Sequence, residues 1–235
     1  MANIYEGAVE VSRRTMTLFF IVDASGSMDG AKMGTLNSAI EEVIPEIRKI
    51  SGENADAAIK IAVLEFSSGT RWITPAPMDA EDFTWSFLTA DGLTDFGEAC
   101  KQLNEKLSRK AFMGDVAGSF APAIFLLSDG EPTDEYASSL AKLKENNWFK
   151  KAIKVAVAIG EDANRDVLAE FTGNKEAVLT KMIHFVSVTA SQIGSKSSGV
   201  GKGGVDEAAN KQDEMIDKIS EVKATEPDDD GDLEW

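Results

Sequence analysis

Only one cysteine (Cys100) and one histidine (His184) occur in the chain. The lone cysteine allows no internal disulfide and no Cys-based zinc site, and the lone histidine excludes multi-His metal centres. Basic residues are also scarce: Lys+Arg number 24 against 40 Asp+Glu, a formal net charge of -16. Such a surface lacks the basic footprint that nucleic acids and anionic membranes require, and it favours divalent cations or basic protein patches. No long apolar run exists: Thr17–Val22 and Ala121–Leu127 are strand-length, far below the roughly 20 residues of a membrane span. The first residues, MANIYEGAVEVSRR, carry early acids and no apolar core. The expectation is a cytoplasmic protein without a secretory signal.

Hydrophobic residues make up 43% of the 235 residues, enough for a sizeable core. Strand-like runs alternate with helix-periodic ones. Met16–Val22, Ile59–Phe66, Ala123–Leu127 and Ile153–Ile159 read as buried strands, with a short one around Ala177–Leu179. Arg71–Met78 reads as an edge strand because it carries Pro75 and Pro77. Met33, Leu36, Ile40, Val43, Ile44, Ile47 and Ile50 mark an amphipathic helix, which Pro45 should kink or end near Ile44. Further helices are expected over Phe96–Ser108, Asp134–Asn146, Arg165–Phe171 and Met182–Ile193. Asp95 and Glu98 would form a capping-box-like pair at the start of the first of these. This alternation predicts an α/β three-layer sandwich, helices on both faces of a mainly parallel sheet with one antiparallel edge strand. The domain should occupy residues 1–193. Gly194–Gly204 then reads as a flexible linker and 205–235 as a polar, acidic tail.

Three segments concentrate oxygen donors at strand or helix boundaries. Asp23-Ala24-Ser25-Gly26-Ser27 follows the first strand, Gly92-Leu93-Thr94-Asp95 enters a helix, and Ser128-Asp129-Gly130 follows Ala123–Leu127. In open α/β sheets ligands bind beyond the carboxyl ends of strands where the strand order reverses, so these loops can converge. Carboxylates and hydroxyls without a soft ligand suit Mg²⁺, with Mn²⁺ or Ca²⁺ also compatible. Alternation lets residues 23, 25 and 27 face one point, and Gly26 permits the tight turn between the serines. Helix capping alone accounts for Asp95, and Cys100 reads as a small buried hydrophobe.

These segments resemble the von Willebrand factor A domain with its metal-ion-dependent adhesion site. Asp23-x-Ser25-x-Ser27 matches the family's first metal loop, Thr94 the threonine of the second, and Asp129 the aspartate of the third. Similarity extends over about residues 14–193, and the stretch LLSDGEPTDEY is most like bacterial A-domain proteins of tellurite-resistance stress systems. The resemblance implies a non-enzymatic module in which Asp23, Ser25, Ser27, Thr94 and Asp129 hold the metal. A partner protein would then present an Asp or Glu carboxylate to it. Two alternatives belong to other classes: a Mg²⁺-dependent hydrolase or phosphotransferase, and a scaffold subunit whose metal site is vestigial. The chain has neither a Gly-x-x-x-x-Gly-Lys-Ser/Thr loop nor a Gly-x-Ser-x-Gly elbow, which counts against the first.

Overall fold

A computed structural model describes residues 13–55, 57–115 and 118–180, together with position 217. Strand β1 (Arg14–Asp23) leads through a 3-10 turn at Gly26–Met28 into helix α1 (Ala31–Glu53). Strands β2 (Ala57–Ser67), β3 (Gly69–Trp72) and β4 (Met78–Asp79) precede α2 (Phe96–Lys106) and β5 (Ala123–Ser128). Helices α3 (Ala137–Glu145) and α4 (Asn147–Lys151), strand β6 (Ile153–Ala158), helix α5 (Arg165–Thr172) and strand β7 (Val178–Leu179) complete the order.

The sheet runs β3-β2-β1-β5-β6-β7, with β4 also pairing to β2. All pairs from β2 to β7 are parallel, whereas β3 and β4 lie antiparallel to β2 on its outer edge. The expected edge strand over residues 71–78 is therefore present in position but split in two. Pro75 and Pro77 fall in the irregular stretch between β3 and β4, where a proline has no N–H for the ladder.

Strand β1 lies at the centre, and its alternation divides the core. Leu18, Phe20 and Val22 join Leu36, Ile40 and Ile47 of α1 on one face. Phe19 and Ile21 pack on the other with Phe96 and Leu103 of α2, Leu140 of α3, Phe149 of α4 and Leu168 of α5. This is the three-layer α/β sandwich, with β1 buried on both faces, as its near-continuous apolar run requires. The reversal of strand order falls between β1 and β5, so the loops at their carboxyl ends border the crevice of such sheets.

Two local expectations are corrected. Of the two outcomes expected at Pro45, the end near Ile44 is overturned: α1 continues through Pro45, which is exposed. The buried stripe from Met33 to Ile47 holds both halves against the sheet, and Arg48 fastens the second by donating to the carbonyls of Ala80 and Phe83 at 3.2 and 2.6 Å. Packing here outweighs the local cost of proline. Asp95 does not cap α2 with its side chain; its carboxylate accepts from the Gly69 N–H at 2.7 Å and pins the β2–β3 turn. Asp134 of the loop before α3 supplies the cap instead, accepting from the N–H groups of Gly97 at 2.8 Å and Glu98 at 3.3 Å. Asp134 is thereby spent outside a helix, and α3 starts at Ala137. The helix expected over 182–193, His184, the linker and the tail lie outside the described residues.

Because Pro45 costs α1 a backbone hydrogen bond at an exposed position, Pro45→Ala is expected to stabilise the fold by about 1–2 kcal/mol. Urea denaturation of the full chain measures this, and a loss of stability would show that the proline is accommodated without cost.

Candidate metal centre

The last residue of β1, Asp23, is fully buried. Its Oδ1 accepts from the Ser25 N–H at 2.9 Å, which curls the chain so that the Ser25 and Ser27 hydroxyls come within 3.1 Å of each other. Ser25 is buried and Ser27 exposed, so the pair rises from the interior to the surface. Gly26 does not adopt a left-handed conformation. It serves instead for close approach: its N–H donates to the Gly92 carbonyl at 3.0 Å, and a Cβ would stand 3.1 Å from that oxygen.

These contacts bring the second loop against the first, reinforced by the Asp91 N–H donating to the Ala24 carbonyl at 2.9 Å. Thr94, also buried, is joined to the third loop by reciprocal bonds with Thr133. The Thr94 N–H donates to the Thr133 hydroxyl at 2.9 Å and the Thr133 N–H to the Thr94 carbonyl at 3.0 Å. The first and third loops meet directly, where the Ser128 hydroxyl donates to Asp23 Oδ2 at 2.5 Å while accepting from the Gly130 N–H at 2.8 Å. Asp23, Ser25, Ser27, Thr94 and Asp129 thus all sit on three loops hydrogen-bonded to one another around the β1/β5 switch point. Ser128 and Thr133, to which the sequence alone assigns no role, hydrogen-bond to Asp23 and Thr94 and orient them. Their signal is faint, since a hydroxyl beside an aspartate is also an ordinary turn pattern.

Two carboxylates lie buried here, Asp23 and Asp129, at 0% and 1% exposure. Burial holds the Asp23 carboxyl above the usual carboxylate range; hydrogen bonds from Ser128 and Ser25 pull it back, and the charge of Asp129 adds to the rise. Lys32 of α1 faces Asp129, its Nζ 3.2 Å from Oδ2 and also 2.9 Å from the exposed Asp162 carboxylate. Burial alone would lower the Lys32 ammonium, but its bonds to Asp162 and Asp129 prevail and raise it. Among the described residues no group of three or more His, Cys, Asp or Glu is arranged to hold a metal. Two carboxylates with hydroxyls make a donor set of hard, mostly neutral oxygens. It fits a divalent cation of the Mg²⁺ or Mn²⁺ type that keeps several waters.

The raised Asp23 carboxyl has a defined consequence for stability. An acid whose pKa is higher in the fold than in the unfolded chain contributes stability below the unfolded value, about 3.9 for aspartate. That contribution is lost as pH rises through the folded value. With chelator present, Asp23→Asn should therefore gain stability relative to the parent chain between pH 4 and pH 7. Urea midpoints at the two pH values measure the change in the gap, and a gap independent of pH would contradict the assignment.

The von Willebrand factor type A domain family matches residues 17–195. Among curated proteins, none matches the chain by sequence. Solved structures share the fold at low identity. A von Willebrand factor type A protein from Catenulispora acidiphila is 18% identical with a TM-score of 0.52, over 77% of this chain and 42% of that one. Proximal thread matrix protein 1 from the mussel byssus, with a zinc-occupied MIDAS motif, is 16% identical with a TM-score of 0.53, over 77% and 47%. The pilus adhesin SpaC of Lactobacillus rhamnosus GG is 12% identical with a TM-score of 0.55, over 77% and 30%. The similar region thus spans less than half of each of these structures. No helix among the described residues is long and apolar enough to cross a membrane. With the family match extending over residues 17–195 and the sheet order and loops as described, the chain belongs to the von Willebrand factor type A domain family.

Proposed function

We propose that the chain is a non-enzymatic protein-interaction module that binds an acidic residue of a partner protein through a divalent cation, Mg²⁺ in the first instance. The observation that carries this reading is the pair of buried acids, Asp23 and Asp129, with the Ser25 and Ser27 hydroxyls 3.1 Å apart on the loop that follows Asp23 and reaching the surface at Ser27. Ser25, Ser27 and Thr94 would hold the ion directly, and Asp23 and Asp129 partly through water. When bound, the cation supplies a Lewis-acid position for an external carboxylate. Ser128 keeps Asp23 oriented, and Thr133 keeps Thr94 at the rim. With few carboxylates against the ion, its charge is incompletely neutralised, which favours a carboxylate from outside. The zinc-occupied motif named for the mussel byssus protein supports a divalent site on this fold.

Leu93, next to Thr94, is 59% exposed and offers a partner apolar area beside the carboxylate position. The partner must approach a protein of net charge -16, so a short-range ionic contact at the ion has to overcome general repulsion. As part of the same proposal, the resemblance of the LLSDGEPTDEY stretch to tellurite-resistance A-domain proteins favours a role for this interaction in a bacterial stress response.

Ser25→Ala combined with Ser27→Ala should abolish metal-dependent capture of a partner while leaving the melting temperature in chelator nearly unchanged. Affinity capture from host lysate with Mg²⁺ and with chelator measures the first and thermal unfolding the second. Capture of the same proteins by the double variant, or in chelator, would overturn the metal as the binding surface.

A further inference from the structure

Lys32 stands in the first turn of α1, where the helix dipole disfavours a cation and where no acidic residue lies within the turn itself. Its charge is matched from outside the helix. Asp129 comes from the loop after β5 and Asp162 from the loop after β6, and these loops are joined by the Asn164 N–H donating to the Asp129 carbonyl at 2.6 Å. The side chain reaches both acids across Gly160. A Cβ on Gly160, whose φ is +93°, would lie 2.6 Å from both Lys32 Cε and Asp162 Oδ1. A passage over glycine and a cation at an unfavourable helix end point to a placement with a purpose.

We propose that Lys32 is a tethered counter-cation that competes with the divalent ion for Asp129 and so sets the metal concentration at which the centre loads. Asp162 is the position to which the ammonium withdraws. This inference rests on the metal-centre reading above. In the metal-free chain Lys32 neutralises one of two buried carboxylates that otherwise repel each other; in the loaded chain it faces a second cation across the same aspartate. Asp162, at 74% side-chain exposure, can hold Lys32 without needing it, whereas Asp129, buried, needs a positive neighbour in either state. The Lys32 charge therefore stabilises the metal-free form more than the loaded one, and by linkage that difference weakens metal binding.

The test is Mn²⁺ titration by calorimetry, with melting temperatures in chelator and in saturating Mn²⁺, on the parent chain, Lys32→Met and Lys32→Arg. Lys32→Met keeps the aliphatic stem over Gly160 and is expected to tighten the Kd roughly tenfold or more. It should lower the melting temperature in chelator and leave it near the parent value in saturating Mn²⁺. Lys32→Arg, which keeps the charge, should bind close to the parent. Asp162→Asn should weaken binding severalfold, and less so when Lys32→Met is also present. If the parent binds Mn²⁺ and Lys32→Met binds equally or more weakly, the competition is refuted while the metal centre stands. If none of the chains binds Mn²⁺, the metal centre itself falls and the inference with it.

Discussion

At the carboxyl end of the central strand, Asp23 carries a carboxylate that solvent does not reach. Placing charge there is costly unless hydrogen bonds and an opposite charge compensate. The chain supplies the bonds from both directions, the Ser25 N–H from its own loop and the Ser128 hydroxyl from the neighbouring strand's loop. Those bonds fix the curl that brings Ser25 and Ser27 together and tie β1 to the loop carrying Asp129. The remaining ties, Gly26 to Gly92 and Thr94 to Thr133, bind the second loop to this pair. The layers beneath are rigid because β1 is packed on both faces, so the loops are held to a narrow range of positions.

Electrostatics then divides the work between the site and the rest of the molecule. A surface with net charge -16 repels acidic partners at long range, and salt screens that repulsion beyond about 8–10 Å. Within the site two buried acids create a local demand for positive charge, which Lys32 meets from the start of α1. The ammonium is anchored to the chain and poorly suited to coordinating a carboxylate from outside. A divalent ion held by neutral hydroxyls retains the capacity to do so. One pair of aspartates thereby accounts for the orientation of the loops, the placement of an otherwise unfavourable lysine and the proposed binding chemistry.

Much of this arrangement was legible from residues alone. The buried strands announced themselves as apolar runs interrupted by at most two polar or charged residues, and α1 as a stripe recurring every three or four residues. The candidate donor positions stand out in the sequence because each falls immediately beyond such a run or at a helix entrance. What stayed hidden depended on contacts distant in sequence. Asp95 has the composition of a helix cap, yet Asp134, 37 residues from Gly97, performs that role and leaves Asp95 to hold Gly69. Pro45 has the local signature of a break, which tertiary packing along the buried stripe of α1 overrides. Ser128 and Lys32 look unremarkable in sequence because their importance lies in the acids they meet, 105 and 97 residues away.

The most direct test of the central claim is anomalous diffraction from crystals of the chain grown with Mn²⁺. The account predicts a Mn²⁺ peak bonded to the Ser25 and Ser27 hydroxyls, with Thr94 beside it and Asp23 and Asp129 reached directly or through water. A peak elsewhere on the acidic surface with none between these loops, at Mn²⁺ concentrations that saturate binding in solution, would contradict it.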